Sequence, residues 1–165
     1  MIIKVAALIN DSIVDGPGFR YAVYTQGCSH NCKGCHNPQT HSFDGGYETD
    51  TEKIFREISE NPLLSGITFS GGDPFFQPLP CAELAVSAHE NHLNVWAYTG
   101  FTFEQLLAKN DAGMMAFLKE IDVLVDGRFV LEKRTLELPF RGSTNQRLID
   151  VPLSLKANEV VEFKL

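Results

Sequence analysis

The sequence has no apolar run near the ~20 residues that a membrane-spanning helix requires, so no such helix is expected. It also lacks an excess of cations. Lys and Arg number 14 against 21 Asp and Glu, a net charge of −7. That balance argues against general binding to nucleic acid or anionic membranes, because both depend on neutralising phosphate. The opening residues MIIKVAALINDS carry neither a long apolar stretch nor a small-residue cleavage site, and the expected compartment is the cytoplasm. Repeats, low-complexity tracts and linkers are missing, so residues 1–165 are expected to form one domain. Cysteine is scarce, with four in the chain, but three of them crowd into the segment Cys28 to Cys35.

That segment, QGCSHNCKGCHNP, spaces Cys28, Cys32 and Cys35 as C-x₃-C-x₂-C. In a reducing compartment, clustered cysteines are ligands or catalysts more often than disulfides, and three is an awkward number for pairing. The fourth, Cys81, falls on one apolar helical stripe with Leu84, Ala85 and Ala88, which assigns it to core packing. Soft thiolates select zinc, copper(I) or iron–sulfur clusters. A four-iron cubane is usually held by four cysteines, so three leave one iron uncovered and open to a chelating substrate. Structural zinc would prefer a second C-x-x-C pair, which is missing. His30 and His36 nevertheless keep a Cys₃His zinc site open as the non-catalytic alternative, although each histidine alone reads as a surface residue or a support for a ligand.

Apolar patterning predicts strands at Ile2–Ile9, Phe19–Gly27, Gly66–Ser70, Leu93–Thr99 and Asp122–Asp126, with DGPG (Asp15 to Gly18) as the first turn. Further strands are expected near Leu148–Leu153 and Val160–Leu165. Helical patterns lie between them, the first from Thr49 with Thr49 and Thr51 as candidate caps. Alternating strands and helices predict an α/β fold. A closed barrel needs eight strands and ~250 residues, so a partial, open (β/α) barrel of about five to six mostly parallel strands is expected. The unusual residues all follow strands: the cysteine loop after Gly27, GGDP after Ser70, TG after Tyr98 and GRF after Asp126. In parallel α/β folds that edge is where active sites assemble. In GGDP the glycines allow close backbone approach to a ligand, and the Asp73 carboxylate suits an ammonium group. Asp73 before Pro74 is equally the pattern of an N-cap with a first-turn proline. Trp96 and Tyr98 read as strand packing.

The cysteine spacing followed by SGGDP one strand later resembles the radical S-adenosylmethionine superfamily. DGPGFR, CHNP, AYTGF, VLVDGRFV and RGSTNQRLID extend the resemblance, over nearly the whole chain, to the branch that activates anaerobic (class III) ribonucleoside-triphosphate reductase. The resemblance implies that Cys28, Cys32 and Cys35 hold a [4Fe–4S] cluster whose open iron binds the amino and carboxylate groups of S-adenosyl-L-methionine. Reductive cleavage then yields methionine and a 5′-deoxyadenosyl radical, which takes hydrogen from one backbone glycine of the reductase large subunit. It also implies roles for Gly71, Gly72 and Asp73 at the methionine ammonium and for Gly34 and His36 on the adenine side. Thr99 would meet polar groups of the cofactor, Asp126 a ribose hydroxyl, and Arg128 the methionine carboxylate or a partner. Reduced flavodoxin or a similar protein is the implied electron donor. Activation of a formate-lyase type of glycyl-radical enzyme, or action on a small molecule, is the enzymatic alternative.

Overall fold

The computed structural model describes residues 1–165. Its sheet has seven strands: β1 (Ile2–Ser12), β2 (Arg20–Thr25), β3 (Tyr47–Asp50), β4 (Gly66–Gly71), β5 (Asn94–Tyr98), β6 (Val123–Asp126) and β7 (Arg147–Asp150). The spatial order is β3-β1-β2-β4-β5-β6-β7. Strands β2, β4, β5 and β6 are mutually parallel. β3 runs with them because both β2 and β3 are antiparallel to β1, and β7 is antiparallel to β6. The sheet therefore stays open, with β3 and β7 at its two edges.

The side-chain period of two divides each parallel strand between two faces. Ile67 and Phe69 of β4, Val95 and Ala97 of β5, and Leu124 of β6 enter the main core. They meet helices α1 (Thr51–Glu60), α2 (Pro78–Glu90), α3 (Phe103–Lys109) and α4 (Ala112–Leu118). Cys81 lies in this core with Leu84, Ala85 and Ala88, fully buried as its helical stripe requires. On the opposite face Trp96, Val123, Val125 and Leu148 form a smaller cluster with Tyr98, Phe140 and Phe163. Each large apolar side chain so buried contributes roughly 1.5–3 kcal/mol.

The turn before β2 is held by a buried arginine. Arg20 donates through Nε to Thr68 Oγ1 at 2.7 Å, through Nη1 to the Pro17 carbonyl and through Nη2 to the Ile67 carbonyl. Its guanidinium lies over the Trp96 ring at 5.6 Å. Burial pulls its pKa down to about 10, partly offset by Tyr98, Asp122 and Asp15. Asp15, on the same turn, accepts from Ser12 and from the Tyr24 hydroxyl.

Four expectations need correction. β3 is an additional strand: YETD offers one apolar residue, and its order comes from pairing Tyr47 to Val5 and Asp50 to Ile2 on β1. The cap of α1 is neither Thr49 nor Thr51 but Asp50, whose carboxylate accepts from the Glu52 amide at 2.9 Å. The segment Leu148–Leu153 is half strand and half helix. Asp150 ends β7 and caps α5 (Val151–Ala157), with Pro152 in its first turn. Residues 160–165 form no strand, only an isolated bridge from Glu162 to Ile149.

Candidate functional site

The cysteine loop leaves β2 at Thr25 and is tied down at its base. Gln26 is buried, and its amide Nε2 donates to the carbonyls of Gln39 and Ser42 at 3.0 and 2.7 Å. The Gly27 amide donates to Thr40 O and the Cys28 amide to His41 O, so the loop returns onto its own start. Asn31 (φ +54°) and Gly34 (φ +78°) take left-handed conformations that turn the chain between Cys28, Cys32 and Cys35. The Asn37 amide donates to Cys35 Sγ at 3.4 Å. All three thiols are free and half-buried.

Burial holds two of these thiols in their protonated form in the metal-free protein. Burial pushes the Cys28 thiol up to about 11, aided by the charges of Asp73, Cys32 and Cys35 and opposed by a hydrogen bond from the His30 backbone. Burial also raises Cys32, against a hydrogen bond from the Phe129 backbone and the nearby charge of Arg128. A metal that binds such thiols must displace their protons. One loop thus carries three soft donors.

The GGDP turn packs directly on that loop. The Gly72 amide donates to Thr25 O at 2.8 Å and the Asp73 amide to Gly27 O at 3.0 Å. A Cβ at Gly71 (φ +92°) would lie 2.6 Å from the Thr25 nitrogen, and one at Gly72 would lie 2.4 Å from the Gly27 oxygen. The close approach these glycines permit is therefore to the protein's own backbone. Asp73 is 1% exposed. Its Oδ1 accepts from the Phe75 amide, making the cap of the 3-10 turn Pro74–Phe76. Its Oδ2 accepts from Thr99 Oγ1 at 2.8 Å and the Gly100 amide at 2.9 Å, and lies 2.6 Å from His30 Nε2.

The last two strand ends join in turn. The Thr99 amide donates to Val125 O and the Gly127 amide to Phe101 O. Asp126 is buried, accepting from the Phe103 amide and from Arg147 Nε at 3.0 Å and Nη2 at 2.6 Å. Arg147 continues to Glu104 at 2.6 Å. Apart from Cys32, half-buried on the loop between them, the expected residues fall into three groups. Cys28, Gly71, Gly72, Asp73 and Thr99 meet in the packed junction of the loops. Cys35 and His36 line a cavity of about 750 Å³ on the face away from the helices, with Tyr24, Ser70, Tyr98 and Phe129. The His36 ring stands 5.0 Å from that of Phe129, and Gly34 lies against Phe129 and Leu131. Asp126 and exposed Arg128 border a separate polar cavity of about 440 Å³ with Gly100, Asn145 and Arg147.

Sequence reasoning read His30 as a surface residue, a support for a ligand or a zinc ligand without finding Asp73 as its partner, and it missed Arg147 as the arginine that holds Asp126. His30 offered a faint signal, an aromatic donor two residues after Cys28. Arg147 had none beyond its place in a polar segment.

A family model described as a 4Fe-4S single cluster domain matches residues 14–149. The anaerobic ribonucleoside-triphosphate reductase-activating protein of Vibrio cholerae is 37% identical over 142 residues, covering 81% of this chain and 89% of that protein. The proteins of the same name from Enterobacteria phage T4 and Escherichia coli K12 are each 33% identical. They cover 82% and 81% of this chain and 86% and 90% of their own length. The crystal structure of QueE from Escherichia coli matches with a TM-score of 0.48 at 15% identity, over 62% of this chain and 54% of that one. No helix is long and apolar enough to cross a membrane. A cysteine loop locked onto GGDP, together with relatives at this identity over most of both chains, establishes that the chain belongs to the family of anaerobic ribonucleoside-triphosphate reductase-activating proteins.

Proposed function

We propose that residues 1–165 form one cytoplasmic radical S-adenosylmethionine domain that generates a glycyl radical on the large subunit of anaerobic ribonucleoside-triphosphate reductase. The observation that carries this reading is the junction of a loop bearing three free thiols with the GGDP turn through His30 and Asp73, 2.6 Å apart. When bound, a [4Fe–4S] cluster and S-adenosylmethionine supply the reductive cleavage that makes the radical.

The chain's own residues hold and orient. Cys28, Cys32 and Cys35 would hold three irons. Gly34, His36 and Phe129 would wall the adenine side, where the 750 Å³ cavity is half apolar in its lining residues. Gly71 and Gly72 keep the wall at the methionine end to backbone thickness. Asp73 acts beside them as a positioning residue, since its carboxylate already accepts from two loops, and Thr99 is fixed by it. Asp126 Oδ1 accepts a single bond, from Arg147, and retains capacity for a ribose hydroxyl. Arg128 has no acidic partner and is available to a carboxylate of the cofactor or of another protein. The electron donor is reduced flavodoxin or a protein like it.

Electron paramagnetic resonance tests the reading. Anaerobically reconstituted protein, reduced and mixed with S-adenosylmethionine, should give a glycyl-radical signal with the reductase subunit. Replacing any of the three loop cysteines by alanine should abolish both iron–sulfur absorbance and that signal. A signal with a formate-lyase partner alone would overturn the substrate, and one bound zinc without sulfide would overturn the activity.

A further inference from the structure

Beside the cysteine loop, on the helix side of the sheet, lies a depression of about 500 Å³ lined by Phe101, Gln105, Ala108, Lys109 and Arg128. Its own lining holds two cations and no acid, and it shares Gln105 and Arg128 with the 440 Å³ cavity, where Arg147 pairs with both Glu104 and Asp126. The ion pairs nearby run through Arg147 to Asp126 and Glu104, and neither Lys109 nor Arg128 is in one. On a chain with net charge −7 such a spot is a local reversal of sign. Complementary potentials of this kind steer encounter between proteins more than they add affinity. The depression also adjoins the cysteines. Arg128 directly precedes Phe129, whose ring stands 5.0 Å from that of His36, the residue after Cys35. Lys109 Nζ sits 5.3 Å above the Phe101 ring, and that ring meets the His30 imidazole edge-on at 4.6 Å.

The position suits one kind of partner. The 750 Å³ cavity lies on the opposite face, lined by Tyr24, Ser70 and Tyr98 among others, and shares no lining residue with the depression. A polypeptide substrate entering that cavity leaves the helix side free, so an electron can arrive while the substrate is in place.

Resting on the function proposed above, we infer that the depression around Lys109, Arg128 and Phe101 is the docking surface for an acidic one-electron donor protein. One electron leaves the donor, which is oxidised by one, and enters the iron–sulfur centre, which is reduced by one; no proton or group is transferred. Arg128 and Lys109 receive the donor's carboxylates, and Phe101 gives the contact an apolar floor.

The test uses the full-length, cluster-loaded protein and reduced flavodoxin as the probe. Association rates are measured at low and at physiological salt for the wild type, Lys109→Glu and Lys53→Glu. Lys53→Glu makes the same change of net charge on α1, at the other end of the helix layer. Lys109→Glu should slow association about tenfold at low salt and flatten its salt dependence. Lys53→Glu should leave both near wild type. Cleavage of S-adenosylmethionine driven by dithionite should be unchanged in Lys109→Glu. Equal losses in the two variants, no loss in Lys109→Glu, or a parallel loss with dithionite each overturn the docking surface. A wild-type protein that cleaves nothing with dithionite instead overturns the function on which it rests.

Discussion

His30 Nε2 and Asp73 Oδ2 meet 2.6 Å apart in a buried junction, one from the cysteine loop and the other from the GGDP turn 43 residues later. The same carboxylate oxygen accepts from Thr99 and Gly100, so three strand-end loops converge on one atom pair. Asp73 is thereby the point at which the cysteine loop, β4 and β5 are fixed relative to one another.

Removing that carboxylate leaves buried donors on Thr99, Gly100 and Phe75 without an acceptor. Asp73→Ala is expected to cost about 3 kcal/mol of unfolding free energy, the usual cost of orphaning a buried charged partner. Asp73→Asn keeps an acceptor and should cost less than half of that. Urea unfolding of the metal-free protein measures both. Iron bound per chain after reconstitution should fall in the same order, because the loop carrying the thiols loses its anchor.

The thiols should differ in reactivity as their burial differs. Cys81 is fully enclosed, and burial holds its thiol well above the ordinary range. Only the thiolate reacts, so native metal-free protein should be alkylated at the loop cysteines and not at Cys81. With its pKa pushed up to about 11, Cys28 should label slowly at pH 8 and reach only about half its full rate near pH 11. Mass spectrometry of timed quenches checks this. Labelling of Cys81 before unfolding would contradict the packing of α2.

What could be read ahead of the structure follows the range over which each signal acts. The parallel strands announce themselves in short runs of Val, Ile, Phe and Tyr, and the cysteine loop in residue types rare elsewhere in the chain. β3 does not, because Tyr47 is its single apolar residue and its order is borrowed from β1. The break at Asp150 was legible in principle, since a capping acid followed two residues later by proline marks a helix start. The apolar pattern of Leu148 and Ile149 hid it. The loop junction was the hardest to foresee. Asp73 matched two local patterns, and only the fold brings His30 and Thr99 to it. Likewise nothing in the spacing of Asp126 and Arg147 encodes their pairing.

At the other end of the sheet, His89 Nε2 lies 2.9 Å from Asp122 and Nδ1 3.3 Å from Glu120, and Asp122 also accepts from the Val95 amide. Burial works against the imidazolium, but the hydrogen bonds and charges of Asp122 and Glu120 outweigh it and raise the pKa. A folded pKa above the unfolded ~6.5 means the protonated pair stabilises fully below pH ~6.5 and loses that contribution as pH rises through the folded value. Wild-type stability should therefore fall relative to His89→Gln between about pH 6.5 and pH 8. Thermal melts of both proteins across that range give the comparison, and parallel curves would refute it.

The glycines beside the site separate steric from conformational demand. Gly71 has φ +92° and its Cβ position is occupied by the Thr25 backbone at 2.6 Å. Gly127 has nearly the same backbone, φ +95°, but its nearest neighbour is the Asn145 side chain at 3.5 Å, an ordinary contact. Gly127→Ala should cost only the strain of a left-handed alanine, about 1 kcal/mol. Gly71→Ala adds a clash with backbone that cannot move without unseating the cysteine loop, and should cost about 3 kcal/mol or more. Gly72→Ala shares the clash, 2.4 Å from Gly27 O, without the unusual φ, and so isolates the steric part. Stability and iron loading should fall together for Gly71 and Gly72 and hardly at all for Gly127. If Gly127→Ala proves as damaging as Gly71→Ala, backbone conformation alone governs these positions and the packing of GGDP on the cysteine loop does not.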